Sequence, residues 1–229
     1  MNPKLTYLLV DLLTVLVPFI FSFHPGIKFH KYFSSFLRSN LFVSVIFIIW
    51  DIIFTAKGVW GFNPEYCIGI TIFNLPIEEI LFFICIPFSC VFTYHLLAPL
   101  LKIKWKNQTE DAVIIFMAFS LFLAGFLFVH NIYSAVTFFS TGIFLLLLKY
   151  IAKAKWIPGF IVVYLFLLLP FFTVNGLLTG SGLNHPVVWY NPSEIIGIRI
   201  LTVPIEDLSY GFELLLLNIY LFEKTINKS

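Results

Sequence analysis

NPEYCIGITIFNLPIEE, from Asn63 to Glu79, returns 128 positions later as NPSEIIGIRILTVPIED, from Asn191 to Asp207. Nine of the seventeen aligned residues are identical: Asn63/Asn191, Pro64/Pro192, Ile68/Ile196, Gly69/Gly197, Ile70/Ile198, Ile72/Ile200, Pro76/Pro204, Ile77/Ile205 and Glu78/Glu206. A tenth pair, Glu79/Asp207, keeps a carboxylate. Chance would give roughly one or two matches, so the chain carries an internal duplication. Both copies end on Pro-Ile-Glu-acid at the start of an apolar stretch, and acids are scarce elsewhere.

Working outward, the whole chain is greasy. Of 229 residues 60% are hydrophobic and 11% charged, and mean hydropathy is +0.97. That composition describes an all-α polytopic membrane bundle, not a soluble domain. Seven apolar stretches are long enough to span as helices, near 5–23, 37–56, 76–99, 111–129, 132–151, 157–178 and 204–222. The first carries Asp11 and no small-residue cleavage site, so it reads as a retained helix. The fourth and fifth are divided only by His130-Asn131.

Shifting by 128 lays spans one to three onto spans five to seven and leaves span four as a connector. The expected units are residues 1–103, a connector 104–131, and 132–229. Three helices plus one restore the starting side, so the halves run parallel and both acidic motifs begin helices on one membrane face. Lys4, Lys57 and Arg199 fall on that face. Lys28, Lys31, Arg38, Lys102, Lys104, Lys106, Lys149, Lys153, Lys155, Lys224 and Lys228 fall on the other. The positive-inside rule then predicts an external amino terminus and a cytoplasmic carboxyl terminus in the cell membrane.

Glu78, Glu79, Glu206 and Asp207 are the candidate catalytic residues. A plain alternative is that each motif is an ordinary helix start, with Pro76 and Pro204 in the first turn and Asn74 and Thr202 as caps. Duplication argues against this, since capping needs one acid at most. The apolar segments Cys67 to Leu75 and Ile195 to Val203 are too short to span and are expected to cover the acids from water. Glu206, Tyr210 and Glu213 recur at helical spacing on one face. Asp51 either lines the site or bonds a neighbouring helix, and Asp11 reads as structural. Arg199 replaces Thr71 of the first copy. Near Glu206 or Asp207 it would keep that pair ionised, whereas Glu78 and Glu79 would share a proton, so the first copy would donate and the second accept.

Several chemistries are missing. There is no dinucleotide fingerprint, no P-loop and no aspartate cluster for a metal-bound diphosphate. Span seven has no lysine for a Schiff base. Cys67, Cys85 and Cys90 lack metal spacing and read as core residues, and His95, His130 and His185 read as incidental. The 29 Phe, 10 Tyr and 5 Trp could line a pocket for a carbocation, though membrane helices are aromatic-rich in any case. What remains suits acid–base work on an apolar substrate.

LPIEEILFF (Leu75 to Phe83) and VPIEDLSYGF (Val203 to Phe212), each closing a three-helix half, resemble the small integral-membrane lycopene cyclases in their fused form. The resemblance covers nearly the whole chain. It implies non-redox closure of linear polyene ends to β-ionone rings in carotenoid biosynthesis, with no cofactor. It places the family's acids on Glu78, Glu79, Glu206 and Asp207, and Tyr210, Glu213, Asp51, Arg199, Asn63 and Asn191 are expected to support the substrate. A lycopene-like carotenoid, membrane lipid and other carotenoid enzymes are the candidate partners; nucleic acid is not. One departure is His95, which aligns with Glu223 where acids would be expected in both halves. The alternative reading is a small 3+1+3 transporter with intramembrane carboxylate sites, which would need polar lining reaching both faces. A degenerate assembly partner of the same pathway is a third, and the intact second motif argues against it.

Overall fold

The chain's apolar stretches form seven helices in a computed structural model that describes residues 2–226; Lys228 lies outside the described residues. The helices are α1 (Thr6–Phe21), α2 (Phe33–Ala56), α3 (Ile77–Leu101), α4 (Asn107–Leu127), α5 (Ile132–Leu146), α6 (Ile157–Leu178) and α7 (Ile205–Ile226). Six are long and apolar enough to cross a membrane. The exception is α7, which carries Glu206, Asp207, Glu213 and Glu223. Its helical surface is nonetheless buried almost all round within the bundle. α2 starts ahead of the expected boundary because its polar first turns continue the helix, Arg38 Nη2 donating to Ser34 Oγ one turn back at 2.8 Å.

Six short strands complete the fold: β1 (Trp60–Phe62), β2 (Thr71–Ile72), β3 (Leu75–Pro76), β4 (Val188–Tyr190), β5 (Arg199–Ile200) and β6 (Val203–Pro204). β1 and β4 pair antiparallel, Trp60 with Tyr190, Gly61 with Trp189 and Phe62 with Val188. The central pair is also a pair under the 128 shift, so a pseudo-twofold axis passes between Gly61 and Trp189. Flanking bonds obey the same axis: Asn63 N–H donates to Val187 C=O and Asn191 N–H to Val59 C=O, both at 2.8 Å. The axis relates two halves that run the same way, with both motifs on one face.

The halves interlock. α1 packs on α3 and α5 on α7 within each half, while α2 packs on α7 and α6 on α3 across them. α4 lies outside against α5, held by Lys149 to Glu110 (2.8 Å) and Asp111 (3.2 Å). Asn131 fastens the α4–α5 turn to the second motif by donating to the Ser193 and Ile195 carbonyls. Away from the motifs, Phe29, Phe36, Phe88, Phe92, Phe160, Phe212 and Phe222 fill the bundle.

Prolines inside helices leave carbonyls without their usual partner, and neighbours supply one. Pro87 frees Phe83 C=O, which accepts from Asn40 Nδ2 and Ser44 Oγ, both 2.9 Å. Pro18 frees Thr14 C=O, which accepts from Ser89 Oγ at 3.0 Å.

The helix-start expectation needs correction. Pro76 is extended (φ −64°, ψ 149°) and precedes the first turn of α3, because it closes the β2–β3 hairpin; Pro204 likewise closes β5–β6. Asn74 and Thr202 do not cap. Asn74 Nδ2 reaches Ile52 C=O (2.9 Å) and Thr202 Oγ1 reaches Gly176 C=O (3.0 Å). Each hairpin docks on its own helix instead, Ile77 N–H donating to Ile70 C=O and Ile205 N–H to Ile198 C=O. The turn between them needs a left-handed residue, supplied by Gly69 (φ +92°) and Gly197 (φ +85°), which explains their identity.

Candidate functional site

The two acids of each motif point different ways, because successive helix residues are turned by about 100°. Glu78 is fully buried and its Oε1 accepts the Ile68 N–H at 2.7 Å. Glu206 does the same for Ile196 N–H at 2.7 Å and also accepts Ser134 Oγ at 2.5 Å. These two tie the covering hairpins to their helices, ten residues back along the chain. Glu79 and Asp207 turn instead toward the axis between the halves and line one shared cavity of about 230 Å³.

Around Glu79 the donors are Tyr7, whose hydroxyl lies 2.5 Å from Oε2, and Asp51, whose carboxyl is in hydrogen-bond contact with it. Tyr210 donates to Asp51 Oδ1 at 3.0 Å. A bond between two carboxyls requires that one of them carry a proton. Asp207 is held by phenols instead, its oxygens accepting from Tyr133 Oη at 2.6 Å and Tyr190 Oη at 2.9 Å. Burial and the Asp207 carboxyl push the Tyr190 hydroxyl well above the ordinary phenol range, so it stays a donor at alkaline pH.

Four rings form a cage beside these acids. Trp60 lies 5.0 Å from Tyr133 and 6.2 Å from both Tyr190 and Tyr210, and Tyr133 lies 5.9 Å from Tyr190. All four line the cavity. The β1–β4 pair, with Trp60, Phe62, Val188 and Tyr190 facing inward, roofs the acidic end. Below, the wall is hydrocarbon in character: the hydroxyls of Thr14, Ser89, Thr93 and Tyr164 all donate to backbone carbonyls. The polar path a transporter needs is not provided by these residues.

A lycopene cyclase family model matches residues 4–97 and 130–225, the two repeats with the connector left out. The chain belongs to the lycopene cyclase family. Family membership brings a carotenoid substrate and a membrane setting, and the paired match fits a fused, duplicated member. No curated protein and no solved structure matches the chain significantly.

The cyclase fold gathers some of the residues expected from sequence and separates others. Glu79, Asp207, Asp51 and Tyr210 meet at the cavity. Glu213 faces α5 instead, accepting Ser140 Oγ (2.6 Å) and Thr141 Oγ1 (3.0 Å), since the cavity face of α7 is Asp207, Tyr210, Gly211, Leu214 and Leu215. Asn63 and Asn191 lie outside the cavity. Each caps a turn through Oδ1, to Glu65 N–H (3.0 Å) and Ser193 N–H (3.1 Å). Arg199 makes no ion pair with Glu206 or Asp207; it is exposed, its Nη1 donates to Thr202 C=O, and it lies 5.6 Å over the Tyr190 ring. Sequence reasoning passed over Tyr7, Tyr133, Tyr190 and Trp60. Under the 128 shift Tyr7 meets Ala135 and Tyr190 meets Phe62, so no repeat signal marks them.

Proposed function

We propose that the chain closes the acyclic ends of a linear carotene to β-type rings, with the Glu79–Asp51 pair donating the proton and Asp207 accepting it. One observation carries this reading: an acid from each repeat faces one aromatic-lined cavity between the halves. The proton held by the Glu79–Asp51 pair adds to the terminal alkene and leaves a tertiary cation. The neighbouring double bond attacks that cation, a carbon–carbon bond closes the six-membered ring, and the positive charge moves to a ring carbon. Asp207 removes a proton beside it and a ring double bond forms. One proton is added and one lost, so the product is an isomer of the substrate and no electrons are exchanged.

Asp207 suits the accepting role because two hydroxyl donors stabilise its charge without supplying a second acid. Trp60, Tyr133, Tyr190 and Tyr210 offer ring faces to the cation, worth about 0.5–2 kcal/mol for each well-placed ring. The β1–β4 roof keeps water from trapping the cation. In this reading Glu78 and Glu206 shape the site by holding the hairpins and do not touch substrate. The asymmetric lysine distribution supports an acidic end that lies at the outer face of the cell membrane.

The test is pigment analysis after expression in lycopene-accumulating cells. Wild type is expected to yield β-ringed products. Glu79→Gln and Asp207→Asn are each expected to leave the linear carotene unchanged, with normal amounts of protein in the membrane. Ring formation persisting in both variants would remove the assignment.

A further inference from the structure

The cavity extends well past the acids. Its wall on α3 runs Glu79, Phe82, Ile86, Ser89, Cys90 and Thr93. Fourteen residues of helix separate the first from the last, roughly 21 Å. α6 lines the same length in the opposite direction, from Leu178 to Tyr164, and α1 contributes Tyr7, Thr14 and Pro18. Polar chemistry is confined to one end. Beyond Tyr210 the hydroxyls are bonded back to helix carbonyls, and the remaining wall is Ile86, Leu167, Leu214 and Leu215 with Cys90. α1 and α6 touch little, and Pro170 both lines the cavity and lies exposed on the surface. At mid-span the wall on this side is therefore thin, with Pro170 between the space and a surface that carries Val17, Phe166 and Leu169 outward.

We propose that this space is a binding corridor for the uncyclised remainder of a long linear hydrocarbon, which enters from the bilayer between α1 and α6 with its reactive end leading. The inference rests on the cyclase reading for the identity of the reactive end. Its own content is the corridor, which the pseudo-twofold does not repeat: the counterparts of Ile86, Ser89 and Cys90 are Leu214, Leu217 and Asn218, and the space beside them is packed, the leucines with Val43, Phe47 and Phe83 and Asn218 bonded to Asn40. One end of one molecule is therefore held at a time. A substrate with two acyclic ends leaves and returns reversed to be cyclised twice.

The test places a block at two depths, Cys90→Trp far from the acids and Ile86→Trp nearer to them. Purified protein in lipid vesicles is given a full-length linear carotene and a truncated polyene with the same acyclic end. Ring formation and pigment retained on the protein are both read. Cys90→Trp is expected to lower turnover and retention of the full-length carotene at least tenfold while sparing the truncated one. Ile86→Trp is expected to shorten the accepted length further. An unchanged length preference in both variants, or equal loss of both substrates in both, overturns the corridor. Wild type that retains the carotene without forming rings would instead sink the cyclase reading, and the order of retention among the variants would still decide the corridor.

Discussion

Glu78 and Glu79 are adjacent, both buried, and held by different partners: a backbone N–H for the first, Tyr7 and Asp51 for the second. Their substitutions should therefore fail differently. Glu79→Gln keeps size and hydrogen-bond capacity but cannot donate a carboxyl proton, so ring formation is expected to fall by at least a hundredfold, with thermal stability in detergent nearly unchanged. Glu78→Ala leaves the Ile68 N–H unsatisfied in a buried place, which costs about 1–3 kcal/mol. Its signature is a lower melting temperature, with activity recovered in part by Glu78→Gln, whose amide oxygen still accepts. Equal losses from Glu78→Gln and Glu79→Gln would remove the division of labour. The sequence marks all four motif acids yet cannot rank them. The stricter identity lies at Glu78/Glu206, where the same bond recurs, while Glu79/Asp207 varies with its partners. Which acid faces the other half depends on helix rotation against a neighbour, and no spacing within the motif encodes that.

At the scale of elements, the roof is the least legible part and the most consequential. Three-residue strands contributed from positions 128 apart leave no periodic signal, whereas helices of fifteen or more residues announce themselves by apolar length. Gly61 is buried at the closest approach of the β1–β4 pair. A Cβ there would run into the Trp189 ring, so the strands approach closely only because residue 61 has no side chain. Gly61→Val is expected to splay the pair, admit water to the acids and lower ring formation at least tenfold. Adding Trp189→Ala should restore much of that activity by clearing the space, and the difference is read as coupling in a double-mutant cycle. Additive losses would mean that the glycine matters for another reason. The hairpins make a related case: Phe73 (φ +56°, 83% exposed) and Leu201 (φ +58°, 75% exposed) sit at matching tips in left-handed backbone. Replacing Phe73 by Gly is expected to relax backbone strain of roughly 1 kcal/mol and raise the melting temperature slightly.

At the scale of the molecule, the parallel halves follow from an odd helix count, and the composition and the repeat suffice to read that. What they do not contain is the exchange of partners, α2 against α7 and α6 against α3, because nearly every face of these helices is apolar and hydropathy cannot choose among them. That exchange has a consequence for assembly. Each half separated from the other would expose the face that carries its acid, and the cavity would cease to exist. Asp51 and Glu79 belong to the first half, and Tyr133, Tyr190, Asp207 and Tyr210 to the second. The segment joining them, residues 102–106, follows the end of α3 and precedes α4, and α4 packs on α5. Cutting the chain there removes no helix–helix contact within either product. Co-expression of residues 1–103 and 104–229 is therefore expected to give a complex that co-purifies through one tagged half and forms rings in lycopene-accumulating cells. Either product alone is expected to form none. Substituting Glu79→Gln in one product or Asp207→Asn in the other should silence the complex without separating it. Rings formed by a single product would show that one repeat suffices, and the shared cavity would then not be where the chemistry occurs.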